Sequence, residues 1–465
     1  MSVGAAAAVS SGFAARTAAE PVVRQGPSLD WSRLSTRSRG PVLLPSDSEY
    51  ATAKQLFDPR FDAARPAAVV RATDTEDVRA AVAFADEHDL SIAVRGGGHS
   101  YVGASAADGA LVIDLRQMRE ITYDNGVAVI GAGASLYGIQ AELARHGQTL
   151  PLGTCPAVGI AGLTLGGGIG VESRLYGLTC DRLREATLVL ADGSRTAVSA
   201  ANRPELFWAL RGGGGGLGVL TSLTFRTCPA TSKDIVRLAF SGTAAQQVLT
   251  GWARWLPETG RTVWASVEVS ADGAGAVGCA IRLVCTAGTG VTTAARLAGV
   301  IGAAPVGTHH RTLGHLDAVL SLAGGRPDTP RTSTVAGSDV VARYSPELAD
   351  AVVEAISSRS SAGGRGMVLV DPLDGAVRDL LADATACPWR NHSAVLQWIA
   401  TDYRDPGEAA AWIDRAHQLV GAHSAGGYIN YLEPAQPTNR YFAANTSRLS
   451  DIRAAVDPDG RMSVR

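Results

Sequence analysis

Glycine runs that end on a single reactive side chain are the most chemically suggestive feature of the chain. Arg95-Gly96-Gly97-Gly98-His99-Ser100 offers consecutive backbone amides that can form an anion nest, and it delivers an imidazole at its end. A histidine held there either hydrogen-bonds or touches a bound ring directly. A second glycine-dense stretch covers residues 151–170 and contains Cys155, Val158, Gly159, Gly162, Gly166, Gly167 and Gly168. A third, Gly212 to Gly216, precedes Val219. Glycine lets backbone N–H groups approach a pyrophosphate, so three such runs in one half of a chain point to a nucleotide. The common nucleotide folds do not fit. Gly131-Ala132-Gly133 follows a strand and precedes a helix, but Leu136 stands where the third glycine of the dinucleotide fingerprint belongs. No acidic residue ends a following strand at the required distance, and no Gly-Lys-Ser/Thr of a P-loop occurs. A dinucleotide bound here is held outside a Rossmann fold.

Rigid elements must hold these turns. Residues 66–95 predict a strand, a helix and a second strand that runs into Gly96. The helix is expected to begin at Thr73 with Glu76 closing a capping box. Val78, Ala81, Val82 and Ala85 give it one apolar face. Strands follow at 111–115 and 127–131, then an amphipathic helix from Ser135 to about His146. Residues 183–190 and 195–198 flank Asp192-Gly193, a β-hairpin signal. After Cys228-Pro229 the texture changes. From 235 to about 420, β-rich stretches (263–269, 278–285, 394–399) alternate with helical ones (244–256, 346–357, 407–419). That pattern predicts an antiparallel sheet covered by helices, with a domain boundary near 230.

At 465 residues the chain exceeds one ordinary hydrophobic core, so two domains are expected. A 46% hydrophobic and 18% charged composition with a net charge of −2 argues for a packed globular protein, and it gives no electrostatic footprint for nucleic acid or an anionic membrane. No stretch reaches the ~18 apolar residues of a membrane span. The alanine-rich N-terminus lacks a basic region and a leucine-rich core, so it reads as a tail of a cytoplasmic protein, with export left open. The six cysteines (155, 180, 228, 279, 285 and 387) include no Cys-x-x-Cys pair, which excludes a disulfide framework and a zinc site.

Several motifs in one order carry a resemblance. They are Arg95-Gly96-Gly97-Gly98-His99-Ser100-Tyr101, then Gly153-Thr154-Cys155-Pro156-Ala157-Val158-Gly159 continuing through Gly166-Gly167-Gly168-Ile169-Gly170, then Arg174-Leu175-Tyr176-Gly177-Leu178-Thr179-Cys180-Asp181. Glu205-Leu206-Phe207-Trp208-Ala209-Leu210-Arg211, Asp374-Gly375-Ala376, Thr385-Ala386, Tyr428-Ile429-Asn430-Tyr431 and Tyr441 to Asn445 follow. Together they resemble the berberine-bridge-enzyme-like oxidases of the vanillyl-alcohol-oxidase superfamily, over nearly the whole chain after residue 60.

The resemblance implies roles. His99 matches the histidine that bonds to the flavin 8α-methyl carbon, and Cys155 the cysteine that bonds at flavin C6; neutral imidazole and thiolate are suitable nucleophiles. Without the motif Cys155 reads as a buried thiol. Arg95, Gly96, Gly97, Gly98, Ser100, Gly159, Gly162, Gly166, Gly167, Gly168, Val219, Asn430 and Asn445 are the implied FAD contacts. Val158 matches the position that decides whether oxygen reaches the reduced flavin, and its modest size looks like the oxidase version. Tyr428 matches the tyrosine base of many relatives. A free phenol has a pKa of about 10, so a base there needs a perturbing neighbour. Read as an extended strand, the segment puts Tyr428 and Asn430 on one face and turns Tyr431 away. Departures from the family pattern at Ile169, Gly216-Leu217 and Trp389-Arg390 turn the expectation from a sugar toward a bulkier, less polar substrate.

The expected fold class is therefore α+β: a two-domain PCMH-type FAD-binding fold with an antiparallel-sheet substrate domain covered by helices. Residues 1–44 are a tail and lead-in, 45–230 bind FAD, 231–425 bind substrate, and 426–465 return to the FAD domain. The expected reaction is oxidation of a small-molecule alcohol or natural product, with O2 reoxidising a doubly attached FAD to give H2O2. A dehydrogenase or oxidative cyclase on the same fold, and a non-catalytic flavin-binding protein, are the alternatives. Tyr428 and Tyr431 are the catalytic candidates, and no metal, nucleic acid or membrane partner is expected.

Overall fold

A computed structural model describes residues 29–434 and 436–462; the N-terminal stretch on which the export question turns lies outside them. The first half is built on two sheets. Ala68–Arg71 and Ile92–Arg95 both pair in parallel with Leu111–Asp114, and the helix Thr75–Glu87 is the crossover between them. Its apolar face is buried as expected, through Val78, Ala81, Val82 and Ala85. The cap differs from expectation. Asp74 accepts from the amides of Glu76 and Asp77 at 2.9 and 3.0 Å, while the Thr73 hydroxyl instead donates to Asp77 at 2.7 Å. The buried Asp77 carboxylate also accepts from the amides of Arg39 and Gly40, so it binds the lead-in segment and leaves Thr73 no capping role.

The second sheet runs in the order Ile121–Asp124, Val127–Gly131, Val219–Arg226, Leu183–Val189, Arg195–Ser199. The expected hairpin is present, with Gly193 at φ +75° in its turn, where a glycine is favoured. One core joins both sheets, and Tyr441, Phe442, Leu449 and Met462 from the C-terminal segment belong to it. The amide of Ile92 donates to the Arg461 carbonyl at 2.8 Å, so the end of the chain is stitched to the first parallel sheet.

The eight-stranded sheet is ordered Gly307–Leu313, Lys233–Ser241, Val277–Thr286, Trp264–Asp272, Arg365–Pro372, Ala394–Ala400, Val335–Val341, Ser424–Gly426, with antiparallel pairing throughout. Side chains alternate between its faces. Val236, Leu238, Val267, Val269, Ile281, Leu283, Val368, Val370, Leu396 and Trp398 pack under the helices Ala245–Trp255, Gly290–Ile301, Pro346–Ser361 and Pro406–Val420. Their strand neighbours Trp264, Ser266, Glu268, Arg282, Leu369, Asp371 and Gln397 point the other way, into the cavity described below. Among the described residues no helix is long and apolar enough to cross a membrane.

An ionic knot fastens this sheet to the C-terminal segment. His417 reaches Asp339 at 2.7 Å through Nδ1 and Glu433 at 2.6 Å through Nε2, and Arg440 reaches Asp339 at 3.0 Å. Burial alone would lower the imidazole pKa, but hydrogen bonds and charge from the two carboxylates raise it to about 9. Because the folded pKa lies above the unfolded value, the stabilisation is complete below about 6.5 and disappears as pH climbs through 9. Thermal stability of the wild type should therefore decline between those limits by more than that of His417→Gln. The substitution itself should cost about 3–5 kcal/mol, since it leaves buried carboxylates short of a cation. Parallel melting-temperature profiles for the two proteins would refute the assignment.

Candidate active site

A cavity of about 1520 Å³ separates the glycine runs from the open face of the eight-stranded sheet. It exceeds the ~300–1,000 Å³ of a drug-sized pocket, so it has room for a dinucleotide and a second small molecule. The first two glycine runs meet backbone to backbone at one wall. A Cβ at Gly97 would stand 2.4 Å from the Gly159 amide nitrogen, and one at Gly159 would stand 2.3 Å from that of Gly97. No side chain fits at either position. Gly96, Gly98, Ser100, Gly162, Gly166 and Asn430 line the same wall.

His99 and Cys155 both face the cavity. The imidazole stacks on Phe57 with ring centres 4.1 Å apart. Burial lowers its pKa to about 4, against an opposing pull from the Ala157 backbone, so it is neutral and nucleophilic at pH 7. Cys155 is half-buried, with Sγ 3.6 Å from Thr329 Oγ1. The other five cysteines are buried. Val158 lines the cavity while packing against the first core.

Arg95, Gly167, Gly168, Val219 and Asn445 lie off the cavity wall, for local reasons. The Arg95 guanidinium turns inward, 2.9 Å from Asp114 and 2.5 Å from the Ala53 carbonyl. Gly167 backs onto Leu178 and Cys387, and the Gly168 amide points to Tyr428. Val219 is buried against Val189 in its sheet. Asn445 Nδ2 is engaged with the carbonyls of Ala382, Thr385 and Ala386. These residues shape the wall from behind.

The C-terminal tyrosines depart most from expectation. Ile429–Tyr431 is a single 3₁₀ turn, closed by the Tyr431 amide on the Tyr428 carbonyl at 2.8 Å. Three residues per turn bring Tyr428 and Tyr431 to one side, where an extended strand would have separated them. Their rings meet edge to face at 5.0 Å and both line the cavity. The chain cannot stay extended because Gly427 N donates to the Arg440 carbonyl and Glu433 N to the Tyr441 hydroxyl, which curls the segment. The Tyr428 oxygen accepts from the amides of Gly168 and Ile169 at 2.9 and 3.3 Å and from Asn430 Nδ2 at 2.9 Å. The Tyr431 hydroxyl has no hydrogen-bond partner among the described residues.

Sequence reasoning missed Asp371. It stands on the open face of Arg365–Pro372, alternating with core residues Val368 and Val370. Burial raises its pKa to about 6, with Arg282 pulling it down. Burial raises the Tyr431 phenol, and the Asp371 charge raises it further. Tyr101 and Gln397 complete the group: Gln397 Nε2 donates to the Tyr101 hydroxyl at 2.9 Å, and the Tyr101 ring lies 5.9 Å from that of Tyr431. Once the strand register is known, a carboxylate in a row otherwise occupied by Met367 and Leu369 is the signal that would have found it.

A family model described as an FAD binding domain matches residues 66–199, and one described as berberine and berberine like matches 427–460. The chain therefore carries an FAD-binding domain and a berberine-like C-terminal domain. An uncharacterized FAD-linked oxidoreductase of Bacillus subtilis is 29% identical over 437 residues, spanning 91% of this chain and 95% of the relative. The glucooligosaccharide oxidase of Sarocladium strictum is 42% identical over 193 residues, 41% of this chain and 37% of the relative. A solved glucooligosaccharide oxidase from Acremonium strictum superimposes with a TM-score of 0.84 at 24% identity, covering 93% of this chain and 97% of that one. The residues present fit FAD: the Gly97–Gly159 contact leaves bare backbone beside the cavity, and a neutral imidazole and a thiol stand on its wall. Other family motifs act as fasteners. Arg174 clasps Asp374 at 2.6 Å, and Arg390 binds Asp181 at 2.7 Å and Thr385 at 2.7 Å.

Proposed function

We propose that this oxidoreductase is an oxidase of small-molecule alcohols that holds FAD through both His99 and Cys155 and takes the substrate proton at Tyr431. The observation that carries the reading is the pairing of Tyr431, its hydroxyl unengaged, with a half-buried Asp371 carboxyl of pKa about 6 in the cavity that His99 and Cys155 also line. When bound there, FAD supplies a two-electron acceptor for the hydride of an alcohol carbon, with O2 as the final acceptor and H2O2 as product. His99 is held neutral by burial and kept in orientation by Phe57. A phenol accepts a proton only as it releases its own, and Asp371, ionised at neutral pH and poised near it, draws that proton away. Tyr428 is a positioning residue, its oxygen occupied by three N–H donors. The 6-S-cysteinyl, 8α-N1-histidyl FAD of the Acremonium enzyme supports the double attachment.

The test is a screen of alcohols, sugars and aromatic natural products for peroxide release in air and flavin bleaching without it. Bleaching with no peroxide release would replace the oxidase reading by a dehydrogenase. Val158 lines the cavity, and on this reading its modest size leaves oxygen a path. Val158→Ile should slow reoxidation of the reduced flavin in air while sparing its reduction by substrate. Equal reoxidation rates in the two proteins would remove Val158 from the oxygen path.

A further inference from the structure

The open face of the eight-stranded sheet carries more positive charge than the proton-transfer group accounts for. Arg237 and Arg282 stand directly opposite each other on adjacent strands. Like charges in that relation are destabilising, and sequence alternation alone does not demand arginine at either position. The next strand places Ser266 opposite Arg282, and one step beyond the Val267–Val370 pair brings Asp371 into the same row. The row therefore reads Arg237, Arg282, Ser266, Asp371 across four strands, with about 10 Å between the backbones of Arg282 and Asp371. Two carboxylates share this wall. Glu268 is engaged with Arg237 at 3.6 Å, and Asp371 lines the cavity with Tyr431. Arg282 is half-buried and has neither an ion pair nor a hydrogen bond among the described residues. A second unpartnered donor lies nearby. Trp264, only 6% exposed and diagonal to Arg282 in the pairing, lines the cavity with its indole N–H unpartnered.

We infer that the substrate is an alcohol that also carries a carboxylate, bound by Arg282 with the Arg237 charge beside it. This rests on the alcohol-oxidase reading and names its substrate class. A planar guanidinium matches a carboxylate in two parallel hydrogen bonds. A singly charged anion suits the wall better than a phosphate dianion, because Glu268 and Asp371 flank the site. The anion balances a guanidinium that otherwise faces its like-charged neighbour. With the carboxylate at Arg282, the carbinol lies toward Asp371 and Tyr431, two strands away. The substrate is thus oriented by its charged end.

Benzoate and benzamide, equal in shape and different in charge, test the site on the flavin-loaded protein through the flavin difference spectrum. Benzoate should bind about 10- to 100-fold tighter than benzamide, the range of a hydrogen bond to a charged group. Arg282→Gln should bring the two to parity, and Arg282→Lys should keep part of the preference. Flavin absorbance per protein checks that each variant is loaded. Equal binding in the wild type, no benzoate binding, or a preference that survives Arg282→Gln overturns the inference. Turnover of 4-(hydroxymethyl)benzoate against benzyl alcohol separates it from the reading beneath it. If benzoate binds through Arg282 but no alcohol bleaches the flavin, the oxidase reading falls and the anion site stands. If alcohols bleach the flavin with no advantage to the carboxylate, the anion site falls alone.

Discussion

Replacing Tyr431 by phenylalanine lowers the rate of anaerobic flavin reduction by ~10²–10⁴, the usual cost of losing a general base, while flavin attachment is kept. The expectation follows from where the two phenols point. Tyr431 presents an unengaged hydroxyl in the cavity that Asp371 also lines, whereas the Tyr428 oxygen is already met by the amides of Gly168 and Ile169 and by Asn430. Tyr428→Phe strands those buried donors at about 1–3 kcal/mol and loosens the glycine turn, so its main effect should be on stability and flavin loading. Asp371 adds a pH signature. Its carboxyl, raised to about 6 by burial, acts as acceptor only when ionised, so reduction should quicken as pH rises through 6. Asp371→Asn should lose that limb along with most of the rate. Stopped-flow reduction of the three variants decides the matter. If Tyr428→Phe is the crippled one, its three donors are serving a phenolate and the roles of the two tyrosines exchange.

The contrast between those tyrosines shows what the sequence could and could not reveal. That the first two glycine runs, His99 and Cys155 meet at one cavity was legible because bare backbone beside a reactive side chain leaves a local signature. The hairpin around Gly193 and the apolar face of Thr75–Glu87 were legible for the same reason, since period and turn chemistry act over a few residues. Tyr431 was misdirected because its orientation is set from outside the segment, by Arg440, Tyr441 and the knot on Glu433. Asp371 and Arg282 were invisible for a related reason. Each sits in an ordinary alternating strand, and only the register of Trp264–Asp272 with its neighbours puts them in one row facing the cavity. Arg95 failed in the opposite sense: its neighbours are functional-looking, yet Asp114, four backbone pairs into a parallel sheet, claims its side chain.

The flavin of the wild-type protein should remain with the polypeptide after acid precipitation, and the denatured chain should gain the mass of one FAD. His99→Ala and Cys155→Ala should each keep the flavin through the remaining bond, and only the double variant should release all of it. The reason for expecting two independent bonds is that the groups stand on different loops, each prepared separately. His99 is kept neutral by burial, so its ring nitrogen is nucleophilic without a deprotonation step. Cys155 is the one cysteine that is not fully buried, and it faces the cavity from the loop that Gly159 presses onto Gly97. The loop contact makes a further difference measurable. Gly97→Val, which would drive a side chain into the Gly159 backbone, should impair flavin loading although both nucleophiles remain. If His99→Ala alone releases the flavin, Cys155 is a cavity thiol and not an attachment point. If the wild type releases all of its flavin on denaturation, neither bond forms, and the neutral imidazole at His99 serves only to contact the ring.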